Sequence, residues 1–457
     1  MARRAYLGST AFRHIGTYGV GALGVFCVIQ GLGGSADADS LFVRDRNVSV
    51  LERHRPEFAA EGVRAGQFIV RPRLDIGVGY TSNAFAISNI PSEEGFDGFE
   101  DESDVYVLIR PSVSAETTWS RHALAGGAYG EFYRNARFDT ETIANAGVFL
   151  NGQLDITRQA ALFGGASYDL LHETRTVNNS AILFEEPVVY DVGKAHIGFQ
   201  QESGRARYKA RFDLATYDYD DVDLITDEIA DFTPSADQDF RDRTSYSVLG
   251  QVGFAVTQDA SIFFRGIYNA QEYDLAADEF GRTRDSDGWT IAAGAEFDLT
   301  RLVRGSVAVG YFEQDYDDLA FADLDGISVD GSLEWFPRER TTVSLTAARE
   351  ASESAYIAAG GYVSTDVILR VDQEIRHNLI GYGLVGYGQE DFEETGSNQT
   401  IDRWGAGVGA TYYLNRNVST SLTYTYETQD IEIDLFNGGF DTDYDIHGLL
   451  WTVTLER

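Results

Sequence analysis

One cysteine, one methionine and only seven prolines stand in 457 residues. Cys27 lies inside the N-terminal leader described below, so the remaining chain has no disulfide, thiolate metal site or cysteine nucleophile. Cations are scarce too: 36 Lys and Arg face 72 Asp and Glu, a net charge of −36. A chain this acidic repels a phosphate backbone, which excludes non-specific binding to nucleic acid. Beyond Phe68 there is no helical hydrophobic period, and no His-Glu-x-x-His, Gly-x-Ser-x-Gly or phosphate-binding loop. His54, His122, His172, His196, His377 and His447 are isolated, and glycine runs such as GYGLVGYG and WGAGVGA sit in strand-like sequence. The reading is therefore no enzyme, no cofactor and no resident metal. A barrel enzyme with loop-borne catalytic residues is the alternative, because a triad is defined in space and not by spacing.

What is present begins with a leader. Arg3, Arg4 and Arg13 precede an apolar run from Ile15 to Gly34, and Ala36-Asp37-Ala38 offers a small-x-small cleavage site. Residues 1–38 thus read as a secretory signal peptide, and a transmembrane anchor is the alternative. Gly24 and Phe26 occupy the places where a lipidation motif at Cys27 would need Leu and a small residue.

Glycine (47 residues), Tyr (25) and Phe (28) are plentiful. From Phe68 onward, segments of ten to sixteen residues alternate apolar and polar, the pattern of a transmembrane antiparallel β-barrel. Strands are expected near 68–80, 104–119, 121–134, 142–156, 159–176, 188–202, 205–219, 243–257 and 259–274. Nine more are expected near 287–300, 302–316, 326–337, 340–352, 361–376, 378–391, 401–414, 417–430 and 443–456. Segments 121–134 and 159–176 alternate poorly. Every second connection is very short, and the others are long and acidic. That arrangement fits periplasmic turns, external loops and both termini on the periplasmic side. A soluble all-β protein is the alternative, but its strands are usually about 5–6 residues long. Tyr80, Tyr129, Tyr133, Tyr190, Tyr268, Tyr311, Tyr412, Tyr413 and Tyr424 near strand ends are candidates for interfacial girdles.

Residues 39–67, between leader and barrel, are polar and read as a periplasmic tail, an interior plug or a docking strip. Here the sequence resembles a known family. Within VLERHRPEFAAEGVRAGQFIVRPRLDIGVGYTSNAFA stand Arg55-Pro56-Glu57-Phe58, Gly62-Val63-Arg64-x-Gly66-x-Phe68, Pro72 and Asn83-Ala84-Phe85. This pattern resembles the start of the Putative beta-barrel porin 2 type of proteobacterial outer-membrane proteins. The resemblance implies a Gram-negative outer membrane and an association with exopolysaccharide export. The chain departs from outer-membrane barrels in ending LLWTVTLER, without a terminal aromatic.

Phasing the strands turns one set of charges toward water. The candidate pore-lining, substrate-binding residues are Arg71, Arg73, Arg110, Arg205, Arg207, Lys209, Arg211, Arg265, Arg304, Arg370 and Arg403. Lys194, His196, Asp75, Glu116, Asp213, Glu296, Asp298, Asp330 and Glu334 share these inward faces. In RARYKARFDL the even positions are apolar and need lipid, which forces the cations inward, where they attract anions. Pairing with luminal carboxylates is the competing role. The loops PSEEGFDGFEDESD, YDYDDVDLITDEIADF and QDYDDLAFADLDG read as solvated and self-repelling. They also offer oxygen ligands to hard cations, though without calcium-loop spacing. The expected function is a passive pore of about eighteen strands for an anionic polysaccharide or oligosaccharide. A general small-solute porin and a closed structural or adhesive barrel are the alternatives. Partners would be outer-membrane lipid, anionic polysaccharide and periplasmic export components.

Overall fold

A computed structural model describes residues 48–87, 101–176, 184–223, 235–278, 280–299, 302–357, 359–394, 397–431 and 443–457. The leader and several stretches of the acidic loops, including 88–100 and 224–234, lie outside these residues.

Period-two alternation over long segments produces long strands, and eighteen of them close into an antiparallel barrel. They are β1 (Phe68–Thr81), β2 (Asp104–Thr117), β3 (Ala123–Asn135), β4 (Ile143–Asp155), β5 (Ala160–His172) and β6 (Val189–Ser203). Next come β7 (Ala206–Tyr219), β8 (Arg243–Ala255), β9 (Ala260–Tyr273), β10 (Ser286–Leu299), β11 (Val303–Tyr316) and β12 (Leu324–Arg338). The last are β13 (Thr341–Glu353), β14 (Gly361–Arg376), β15 (Leu379–Glu394), β16 (Ser397–Tyr413), β17 (Val418–Ile431) and β18 (Tyr444–Glu456). Each strand pairs with the next, and β1 pairs with β18 from Arg73↔Glu456 to Thr81↔Gly448. Closure leaves no edge to satisfy, as a lipid environment requires.

The outward faces carry the apolar residues. Val78, Val107, Val148, Phe264, Ile291, Val309, Leu369, Val385, Val408 and Leu422 are all exposed on them. On a soluble protein so extensive an apolar surface would drive association, whereas in a bilayer it is the solvated face. Among the tyrosines expected in girdles, Tyr80, Tyr268, Tyr311, Tyr412 and Tyr424 are exposed outward. Tyr129, Tyr133, Tyr190 and Tyr413 instead share the inward parity of their strands, and Tyr133 is buried there against Tyr106.

One external connection differs from expectation. The segment between 391 and 401 is not a long loop, because β15 and β16 stay paired up to Glu394↔Ser397. Phe392 and Ile401 on this extension are buried with Tyr356 and Tyr362, so apolar contacts hold the hairpin straight where the acidic sequence reads as loop.

The N-terminal segment is docked. A short strand, Val63–Ala65, folds back on β1 through a tight turn in which Gly66 takes φ +63°, the left-handed conformation such hairpins need. Upstream, the chain runs along the periplasmic rim. Glu61 pairs with Arg416, and Glu57 lies 3.2 Å from His377. Phe58 packs on the rings of His377 and Tyr413. Arg53 and Arg55 reach the same oxygen of Glu374 at 3.0 and 3.3 Å, the Val50 N–H donates to Thr342 at 2.9 Å, and Glu52 meets Arg304 at 2.5 Å. This strap follows the barrel from the β16–β17 turn to β11. Arg55 and Glu374 are both nearly buried, so removing the carboxylate leaves a buried cation at a cost of about 3–5 kcal/mol. Glu374→Ala is therefore expected to release the strap. Trypsin should then cut after Arg53 in a barrel that still migrates as folded on unheated gels, while the wild-type strap resists; Arg55 precedes Pro56 and is not a cleavage site.

Candidate functional site: a charged lumen crossed by loops

Inside the barrel, alternation places ten of the eleven cations expected to line a pore on inward faces. The exception is Arg205. The strand starts at Ala206, and Arg205 is exposed in the turn with Gly204, whose φ of +62° lets the chain reverse there.

The inward arginines have carboxylate neighbours. Arg71 pairs with Glu116 at 2.7 Å, Arg73 with Asp75 at 3.1 Å and Arg110 with Glu131 at 2.6 Å. Arg207 pairs with Glu202 at 3.2 Å, Arg211 with Asp213 at 2.5 Å and Arg265 with Asp330 at 3.6 Å. Arg304 bonds Glu334 as well as Glu52, Arg370 meets Asp372 at 2.9 Å, and Arg403 meets Glu390 at 2.7 Å. Lys209 holds its ammonium 5.8 Å from the Phe163 ring centroid. Lys194, on the inward face of β6, is the solvent-accessible cation of this strand.

Charge is distributed unevenly around this wall. Lys194, His196, Arg207, Lys209 and Arg211 sit together on β6 and β7, with Glu202 and Asp213 among them. Glu296, Asp330, Glu334, Glu350, Asp366 and Asp372 gather on β10 and β12 to β14.

The outer end is built differently. Tyr273, ending β9, donates to Glu353, ending β13, at 2.6 Å. Along the wall these strands are about 19 Å apart at the usual inter-strand spacing. Two side chains cannot span that distance, so the β13–β14 tip leans into the mouth. Accordingly, Gly361 to Ser364 are buried on both faces. Arg284, itself buried, pins this tip by donating to the carbonyls of Ser354, Tyr356 and Ala359 at 2.9, 3.1 and 3.0 Å. Its guanidinium also lies 5.3 to 5.6 Å from the rings of Phe240, Tyr273 and Phe321, joining four neighbouring loops.

A second crossing comes from the β5–β6 loop. Tyr444 of β18 donates to the Thr176 carbonyl at 3.4 Å, five strands away around the wall. Arg175 holds that loop through Glu141 and the carbonyls of Phe184 and Glu185, and Arg241 holds it through Glu173. The described parts of these loops are thus tied by buried arginines, where the acidic composition reads as self-repelling. Arg175, Arg241 and Arg284 were not among the candidate residues. Their signal is an arginine or a pair of arginines inside an acidic loop, as in HETRTV, QDFRDRT and GRTRDSD.

Acidity persists at the rim. Burial, with Asp218, Asp239 and Asp274 nearby, pushes the Asp242 carboxyl up to about 6. Asp221, Asp237 and Asp239 bring carboxylate oxygens within 4.8 Å of one another, all exposed, as acidic loops commonly do without a metal.

No curated protein matches the chain in sequence. Among solved structures, it is similar to the outer membrane protein OpdK from Pseudomonas aeruginosa, with 11% identity and a TM-score of 0.42. That match covers 85% of this chain and 99% of OpdK. A BenF-like porin from Pseudomonas fluorescens Pf-5 matches at 11% identity and TM-score 0.43, covering 85% and 99%. The ferric citrate transporter FecA matches at 9% identity and TM-score 0.41, over 83% of this chain but only 63% of FecA. The Putative beta-barrel porin 2 family matches residues 55–444, taking in the end of the strap and all but the last strand's length, and the chain belongs to that family of outer-membrane barrels.

Proposed function

We propose that this protein is a passive outer-membrane channel for an anionic polysaccharide or oligosaccharide, as in exopolysaccharide secretion, with no covalent chemistry of its own. The observation that carries this reading is the basic wall of β6 and β7, where Lys194 stands exposed to water inside the barrel. A pore wall with a net positive charge raises the local concentration of anions. Arg207 and Arg211 keep their carboxylate partners close, so each offers a polymer carboxylate a weak, exchangeable site. Conduction needs such sites, because a strong one would trap the polymer. Carboxylates on the facing strands and at the outer rim would push the chain along and away from the mouth. Periplasmic export components would meet the barrel at the strap-lined rim.

A second reading, a general small-solute porin, is favoured by the ion pairing itself, since paired charges leave a softer field. Planar-bilayer recordings separate the two. The polymer channel is expected to prefer chloride over potassium, and neutralising Lys194, Arg207, Lys209 and Arg211 together should abolish that preference. Selectivity unchanged by the four substitutions would refute the proposed role of this wall.

The outer mouth yields a separate expectation. Arg284→Ala removes the donors that hold the β13–β14 tip over the lumen, each worth about 1.5–3 kcal/mol as a charged hydrogen bond. Single-channel conductance should rise and flicker more than in wild type, with the barrel still folded.

A further inference from the structure

We infer that Phe163 is the stacking platform of a binding subsite for an acidic sugar, on the wall formed by β4 to β8. The inference rests on the lumen being a saccharide path and specifies where along it a sugar ring is held.

Phe163 breaks the pattern of its strand. On β5 the outward face carries Leu162, Tyr168 and Leu170, while Phe163 lies on the inward face with Gly165, Ser167 and Asp169. An aromatic ring directed into water gains nothing from burial unless something covers it, and Phe163 is only partly covered. Its bed is Gly198 on β6. A Cβ there would fall 2.2 Å from Cζ and 2.5 Å from Cε2 of the ring, so only glycine lets the ring come this close to the strand. The Cζ–Cε2 side of the ring thus rests on the backbone, and the ring is half-covered on the inward face.

Several other inward rings rest on glycines in the same way but are covered or tied, while Phe149, over Gly127 on the neighbouring β4, is a second half-covered ring of this wall. Tyr106 over Gly79, Phe263 over Gly294 and Tyr316 over Gly361 are buried. Tyr382, over Gly409, has the Arg370 guanidinium 4.4 Å above it, and Tyr129, over Gly147, is tied through its hydroxyl to Asp169 at 2.8 Å. Phe163 has no hydroxyl. Lys209 stands over the ring at 5.8 Å from its centroid, near the outer limit of cation–π contact, and its flexible stem lets the ammonium move to the rim of a sugar that stacks there.

The surroundings complete a recognisable chemistry. Lys209 is in register between Gln200 of β6 and Gln251 of β8. The His196 ring lies 6.4 Å from Phe163, and both His196 and Asn151 close over Gly165, the next inward position on β5. An apolar face, a cation at its edge and amides around it match the C–H face, carboxylate and hydroxyls of a uronic-acid ring. A neutral sugar uses the platform and amides without the cation. An inorganic anion uses the cation without the platform.

The test is equilibrium dialysis of end-labelled hexagalacturonate against the detergent-solubilised barrel, with maltohexaose as the neutral probe. Folding of each variant is checked by its migration on unheated gels. Phe163→Leu keeps apolar bulk but loses the ring face, and should weaken hexagalacturonate binding about tenfold or more. Phe163→Trp should keep it within about threefold, since a larger ring still stacks. Lys209→Met should weaken hexagalacturonate and leave maltohexaose unchanged. Wild-type affinity in Phe163→Leu, or no hexagalacturonate binding by the wild type, would overturn the inference. Failure here is separable from failure of the channel reading. Anion-selective conductance with binding indifferent to Phe163 removes the subsite alone. Phe163-dependent binding to a barrel that conducts nothing removes the path and leaves the site.

Discussion

Lipid offers no hydrogen bonds, and every other property of this barrel answers to that fact. Each N–H and C=O within the bilayer must find its partner in a neighbouring strand, and only closure of β1 on β18 leaves none over. Closure then makes alternation binding. A residue that is not outward is inward, and an outward charge costs about 2–4 kcal/mol at mid-bilayer for Arg or Lys. The basic run on β7 therefore has no other place to go than the lumen, whatever its role there.

Within the lumen the same low-dielectric surroundings act on the charges themselves. Arginines that are nearly buried, such as Arg110 and Arg403, have close carboxylates because an unpaired ion there would be expensive. Where water enters, as at Lys194, a charge can stand open. The interior thus divides into packed, paired regions and a wetter wall. At the outer end, Arg284 bonds three backbone carbonyls and Arg175 bonds two carbonyls as well as Glu141, so arginines fix loops that would otherwise be flexible polar chain.

The architecture was legible in the sequence because it is written locally. The phase of β7 follows from Tyr208 and Phe212 against Arg207 and Lys209, and the structure keeps that phase. β5 was hard to phase for a physical reason: Phe163 puts an aromatic on the wet face, and Gly164 and Ala166 weaken the dry one. Four girdle tyrosines were misassigned because position near a strand end says nothing of parity. The strap's docking and the loop crossings were not legible at all. Glu374 meets Arg53 across 321 residues, and Arg284 meets Tyr356 across 72, and no local period encodes such pairs.

The strap also bears on the order of assembly. Its residues are the first of the described chain to be made, yet their partners lie on β11, β13 and β14 and in the turn before β17. Contacts of such high sequence separation form late, because a long loop must close before they repay its entropy. From its anchor on β1, the strap passes the closing seam to reach strands beyond β18 in the ring. It can settle only when first and last strands have met, so the segment synthesised early serves as the clasp fastened at the end.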